Sequence, residues 1–328
     1  GLVVRPGIRL LKHNFLVTTK KIAVVGAGHV GATCSQLLAQ KELAQKVILL
    51  DIVEGIPQGK GLDQWESAPI EGFDSRVIGA NAYEEAEDSE VFIVTAGIAR
   101  KPGMSRDDLL KTNAGVIGSV SREIKRVAPD AIVLVVTNPL DVMAQVALEE
   151  TEFPRERVIG MAGVLDTARY RSFIALELDV SIEDIQALVL GGHGDTMVPL
   201  ASYTSVSGIP LSQLLSQDRI DALIERTRKG GGEIVSHLKT GSAYYAPAAA
   251  AVQMAEAIVK NKRRILPCAA WLQGEYGMRD LYIGVPCMLG ENGIERVIEV
   301  ELDGEERAAL ESSAEHVRST VAALKSLD

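Results

Sequence analysis

The sequence predicts an α/β fold, a doubly wound parallel sheet followed by a C-terminal mixed α+β domain. Short apolar runs rich in Val, Ile and Leu at 22–25, 47–50, 91–95 and 132–136 read as strands buried on both faces. Stretches with apolar residues at helical spacing separate them, as crossovers in a parallel sheet require. Beyond residue 160 the pattern changes, ending in two adjoining extended runs and one amphipathic helix.

Taken in order, the run 22–25 ends in Gly26-Ala27-Gly28, a helix is predicted over 30–40, and the run 47–50 ends at Asp51, giving a βαβ unit. Between the strands at 91–95 and 132–136, Leu109, Leu110, Ala114, Ile117, Val120, Ile124 and Val127 mark one helix face. A short strand around Val158 leads through Gly160 and Gly163 to a helix over 166–178. A strand over 185–190 then ends in Gly191-Gly192-His193-Gly194-Asp195. Helices over 218–239 and 247–261 follow, then a hairpin of 281–289 with 294–302 around Gly290-Glu291-Asn292-Gly293. Leu310, Ala314, Val317, Val321 and Leu324 define the terminal helix. These elements divide the chain into an appendage (1–20), a nucleotide-binding domain (21–160) and a domain for substrate and catalysis (161–328).

With 328 residues, 47% hydrophobic and 24% charged, the chain has ample material for a large core. Its net charge of −10 gives no general attraction to nucleic acid or to an anionic membrane. An anionic small molecule remains compatible, because a few local arginines decide that. The nine acidic residues in 291–315 read as solvated surface. Cys34, Cys268 and Cys287 have no metal-ligand spacing, and an odd number cannot all pair within one chain. A reducing, cytoplasmic compartment and no metal are the expectation. Residues 1–20 carry Arg5, Arg9, Lys12 and Lys20 with no acid, and their apolar stretches are too short and broken for a secretory signal or a span. They are expected to lie outside the catalytic core.

Gly26-Ala27-Gly28-His29-Val30-Gly31 is a GxGxxG motif between a strand and a helix. Gly26 permits the turn, Gly28 admits a pyrophosphate against the backbone, and Gly31 lets the helix pack on the strand. Unpaired N–H groups at the helix start then face the phosphates. Asp51 ends the next strand, where a carboxylate accepts from a ribose 2′-hydroxyl and repels a 2′-phosphate. This is a Rossmann arrangement suited to NAD, although an S-adenosylmethionine-dependent methyltransferase shares such an early turn and acid. Thr95-Ala96-Gly97 and Thr137-Asn138-Pro139 end later strands at the ligand-binding edge of the sheet.

Hydride removal from a secondary alcohol leaves a proton behind, so such a site needs a base that also serves as the acid in reverse. Histidine suits both roles near neutrality. Of the five histidines, His13 lies in the appendage, His29 in the glycine turn, and His237 and His316 on helices. His193 alone follows a strand among glycines. Asp166 is its best candidate partner, with a helix N-cap as the competing role.

Thr95-Ala96-Gly97, the segment from Arg100 to Arg106, Thr137-Asn138-Pro139, Gly163 to Arg169 and Gly192-His193-Gly194-Asp195 together resemble signatures of the lactate/malate dehydrogenase superfamily, nearest its lactate-dehydrogenase-like malate dehydrogenases. The similarity runs from Lys21 to the C-terminus. It implies His193 as acid/base with Asp166 as partner, Arg169 on the substrate's C1 carboxylate, and Arg106 on the reacting oxygen. Asn138 would hold substrate and cofactor together. NAD contacts would come from Gly26, Gly28, Gly31, Asp51, Thr95, Gly97, Asn113, Thr137 and Asn138, and residues 99–110 would form a mobile lid. The family further implies L-malate, transfer to the A side of nicotinamide, and a homotetramer or homodimer. Arg100 narrows the substrate to a dicarboxylic acid, since lactate dehydrogenases commonly carry glutamine there. A lactate dehydrogenase, another 2-keto-acid reductase, or a catalytically silent NAD-binding protein are the alternative readings.

Overall fold

The computed structural model describes residues 18–98 and 104–327. Most of the appendage and the segment 99–103, which includes Arg100, lie outside the described residues. Six strands, β1 (Lys21–Val25), β2 (Lys46–Leu50), β3 (Arg76–Ala80), β4 (Val91–Val94), β5 (Ile132–Val135) and β6 (Val158–Gly160), run parallel in the order β3-β2-β1-β4-β5-β6. Val25 lies opposite both Leu50 and Val94, so the order reverses at β1 and a crevice opens between the strand ends. Alternate side chains feed opposite cores: Ile22, Val24, Val47 and Leu49 on one face, Ala23, Val25, Ile48 and Leu50 on the other. Burial on both faces is why these runs are apolar without interruption.

The helices of this half are α1 (His29–Gln40), α2 (Ile56–Glu71), α3 (Arg106–Val127) and α4 (Leu140–Thr151). α2 and β3 escape the sequence pattern because small residues replace apolar ones where they meet. A Cβ on Gly61 would stand 2.8 Å from Gly79 N, and one on Gly79 only 2.0 Å from Pro57 O. Most of the rest of α2 is solvated, and Pro69 sits inside it.

The second half contains α5 (Gly163–Leu178), β7 (Ile185–Gln186), β8 (Val189–Leu190), β9 (Val198–Pro199), β10 (Ser205–Val206), β11 (Ile209–Pro210), α6 (Leu211–Leu214), α7 (Gln217–Leu238) and α8 (Tyr245–Val259). β12 (Arg264–Gln273), β13 (Arg279–Gly290), β14 (Gly293–Val297) and α9 (Gly304–Ser326) complete it. The last three strands do not form a sheet of their own. β12 pairs antiparallel with β6 through Ala269 and Gly160, extending one sheet to nine strands. Pro267 interrupts the apolar pattern of β12, which hid it from prediction.

Two boundaries are corrected by pairing partners. The single strand expected over 185–190 is two, because β7 pairs with β10 while β8 pairs with β9. The expected hairpin closes where Gly290 pairs with Gly293, but its second strand ends at Val297. Among the described residues no helix is long and apolar enough to cross a membrane.

Candidate active site

The ends of β1, β2 and β4 open onto a cavity of about 340 Å³ whose wall includes Gly26, Gly28, Asp51, Tyr83, Thr95 and Gly97. Gly26 turns the chain with φ +102°. A Cβ on Gly31 would stand 1.7 Å from Gly26 O, so α1 starts this close to β1 only with glycine there. Around Gly28, by contrast, no atom of the described residues beyond its chain neighbours lies within 4 Å of where a Cβ would stand, which leaves its backbone open to a ligand. Asp51 Oδ2 accepts the Ala27 N–H at 2.7 Å and Oδ1 accepts the Val53 N–H at 2.9 Å. The carboxylate is thereby fixed at the cavity edge with lone pairs left for ribose hydroxyls. Lys60, which sequence reasoning missed, donates from Nζ to Ala27 O at 2.6 Å and braces the same turn. These residues fit a dinucleotide.

A second cavity, of about 380 Å³, shares Thr95, Gly97 and Ile98 with the first. Its wall adds Thr137, Asn138, Arg169, His193 and, from α7, Arg228, Gly231 and Gly232. Thr95 Oγ1 donates to Val25 O at 3.0 Å, and Thr137 Oγ1 donates to Ala96 O at 2.6 Å, fixing the strand ends between the cavities. Gly97 has φ +147°, and a Cβ on it would stand 2.6 Å from Thr137 Cγ2.

Asn113 does not stand in either wall as expected of a cofactor contact. It is buried in α3, where Oδ1 accepts the Ile98 N–H at 2.9 Å and the amide donates to Ile98 O at 3.2 Å and Asn138 O at 2.8 Å. It ties the two wall segments together from beneath.

His193 Nδ1 lies 2.9 Å from Asp166 Oδ2, and the Asp166 side chain is 3% exposed. Asp166 is not the N-cap of α5, which begins three residues earlier with Ala162 as cap. Arg169, nearly one turn further on, brings Nη1 to 3.4 Å from Asp166 Oδ1, and its buried Nε has no partner among the described residues. Burial by itself disfavours the charged imidazolium. The charge and hydrogen bond of Asp166, with Asp141 behind, outweigh it and raise the His193 pKa above its ordinary value. Burial lowers the Arg169 pKa against the pull of Asp166.

Room for Arg169 comes from Gly230-Gly231-Gly232 in the middle of α7. Each such glycine weakens a helix by about 1 kcal/mol relative to alanine. A Cβ on Gly230 would stand 3.2 Å from Arg169 Cδ, and one on Gly231 3.7 Å from its Nη2. The triplet was visible in the sequence as an anomaly inside a helix. Arg228 was not: it sits in an alternating charged stretch, yet its Nε donates to Met197 O at 3.2 Å and it faces the cavity. Arg106 is not brought to the site. It is the exposed first residue of α3, behind the Ser105–Asp108 capping box, and lies outside the cavity wall.

Adjoining cavities, one with a dinucleotide turn and one with a buried His–Asp pair beside an arginine, define a nicotinamide-dependent oxidoreductase acting on small acids. The chain belongs to the lactate/malate dehydrogenase family: the family's NAD binding domain matches residues 20–160 and its alpha/beta C-terminal domain residues 163–327. It is 56% identical over 307 residues to a malate dehydrogenase of Chloroherpeton thalassium, covering 94% of this chain and 99% of that one. The solved malate dehydrogenase of Salinibacter ruber superposes with a TM-score of 0.90 at 55% identity, covering 94% and 98%. A lactate dehydrogenase of Cryptosporidium parvum, complexed with lactic acid and NAD, superposes with a TM-score of 0.91 at 42% identity, covering 94% and 99%. The chain is thus an NAD-dependent enzyme of a family whose fold is common to malate and lactate dehydrogenases.

Proposed function

We propose that this enzyme interconverts L-malate and oxaloacetate, and that the buried His193–Asp166 pair with Arg169 alongside is its chemical centre. The 2.9 Å contact at Nδ1 carries this reading. A carboxylate can only accept, so Nδ1 keeps its proton and Nε2 is the atom that exchanges one. In reduction Nε2–H protonates the carbonyl oxygen; in oxidation neutral Nε2 takes the hydroxyl proton. The Arg169 fork, with its unpartnered Nε, suits a carboxylate held through paired hydrogen bonds.

NAD supplies or accepts the hydride when bound. Gly26, Gly28, Gly31, Asp51, Thr95, Gly97, Thr137 and Asn138 would hold it, so residues 21–160 serve the cofactor and 161–328 the acid–base chemistry. By the family resemblance Arg106 would act on the reacting oxygen, and Arg100, which lies outside the described residues, on the second carboxylate. Relatives named malate dehydrogenase at 54–57% identity support the dicarboxylic substrate, whereas the shared lactate dehydrogenase fold leaves that choice to Arg100. The assembly is a homotetramer or homodimer, which light scattering distinguishes from a monomer.

The test is NADH oxidation with oxaloacetate, pyruvate and branched 2-keto acids, with NADPH as control. Oxaloacetate with NADH should dominate, and equal turnover of pyruvate would contradict the reading. An unmatched buried charge costs about 3–5 kcal/mol. Arg100→Gln should therefore lower the oxaloacetate-to-pyruvate ratio of kcat/KM by about a hundredfold or more.

A further inference from the structure

We propose that Asp141 is a second anionic positioning residue for His193, anchoring its main chain and favouring the imidazolium through an unshared carboxylate charge. The inference rests on the acid–base reading of His193 given above.

Asp141 is the second residue of α4 and is 6% exposed. Its Oδ2 accepts the His193 backbone N–H at 2.9 Å, whereas its buried Oδ1 has no hydrogen-bond partner among the described residues. An anion is not needed merely to hold this loop. One residue earlier, the neutral Ser313 Oγ of α9 accepts the Gly192 N–H at 2.8 Å and donates to Thr196 Oγ1 at 3.1 Å. Gly191 is pinned to Gly284 of β13 by two main-chain hydrogen bonds of 2.9 and 3.0 Å. The loop is therefore already fixed from two elements by uncharged groups.

A buried carboxylate with one oxygen unpaired is costly, and a charge kept there needs an electrostatic partner. The charged groups around it are His193 on the loop and Asp166 on α5, and Arg169 of α5 faces His193. Asp166 holds Nδ1 directly, and Asp141 adds a second negative charge from the main-chain side, against the opposing charge of Arg169. The start of α4 favours the anion through its N-terminal dipole. Burial nonetheless pushes the Asp141 carboxyl up to about 6, against the His193 N–H and charge that pull it down and with Asp166 adding repulsion. The charge of Asp141 is felt at His193, whose pKa it raises.

Asp141→Asn keeps an acceptor for the His193 N–H and removes the charge. Both the alkaline limb of oxaloacetate reduction and the acid limb of malate oxidation should move to lower pH, together and by about one unit. A purely structural anchor would lower turnover without moving either limb, and that result overturns the proposal. The ring resonance of His193 in the holoenzyme offers a second readout, with Asp141→Ser as a second neutral variant. With resonances assigned by His193→Gln, the His193 ring should titrate about one unit lower in that variant than in wild-type protein. An unmoved ring titration overturns the proposal even if Asp141→Asn fails to fold. Should His193→Gln retain both kinetic limbs, the acid–base reading fails instead, and the two failures are told apart.

Discussion

Replacing Asp166 with asparagine removes one charge from the centre of the site while preserving volume and a hydrogen-bond acceptor. In the native protein this carboxylate lies 2.9 Å from His193 Nδ1 and 3.4 Å from Arg169 Nη1. Breaking such a buried ionic contact costs about 3–5 kcal/mol, and retention of an acceptor places asparagine near the lower end. At about 1.4 kcal/mol per factor of ten, kcat for oxaloacetate reduction should fall about a hundredfold at neutral pH. The loss belongs in kcat more than KM, because Arg169 is left freer to pair with a substrate carboxylate. The sign of the pH effect follows from the raised His193 pKa. Reduction needs the imidazolium, so activity disappears as pH rises through that pKa. Without Asp166 the pKa drops, and the alkaline limb moves to lower pH. Steady-state NADH absorbance measured from neutral to alkaline pH reads both quantities. A variant within threefold of wild type, with its limb unmoved, would refute the reasoning.

Two further substitutions separate the parts of the cofactor turn. Gly31→Ala puts a methyl group 1.7 Å from Gly26 O, so α1 must shift. Overpacking of this kind costs about 1–3 kcal/mol, and both the melting temperature and NADH affinity should fall. Gly28→Ala meets no protein atom within 4 Å and keeps φ −70°, so it should weaken NADH binding at unchanged melting temperature. Fluorescence titration beside thermal melts checks the contrast. Asp51→Ser removes the charge that opposes a 2′-phosphate and weakens the link to the Ala27 and Val53 N–H groups. A hydrogen bond to a charged group is worth about 1.5–3 kcal/mol, so the NADH-to-NADPH ratio of kcat/KM should drop at least about tenfold. An unchanged ratio would remove Asp51 from cofactor selection.

The elements legible in the sequence were those whose environment is uniform along their length. β1, β2, β4 and β5 are buried on both faces and so read as unbroken apolar runs, while α3 and α9 have a wet side and read by helical period. α2, β3 and β12 were illegible because Gly61, Gly79 and Pro267 stand where an apolar side chain would have signalled packing. The continuity of the sheet past β6 depends on the pairing of Gly160 with Ala269, a contact between residues far apart in sequence. The site divides the same way. Gly26 to Gly31 and the His193 loop carry local motifs. Asp141 reads locally as an ordinary acid in the first turn of a helix, and its approach to His193 emerges only when α4 packs beneath the loop. Arg228 is similarly anonymous, and the exposed Arg106 shows that a motif can name a residue without placing it.

The most direct test of the central claim follows the hydride itself. Oxaloacetate is incubated with NADH deuterated on the A side of C4, and the product is resolved by chirality and mass. The account predicts L-malate carrying one deuterium at C2, formed much faster than labelled lactate from pyruvate under the same conditions. Unlabelled malate, or lactate formed at an equal rate, would contradict it.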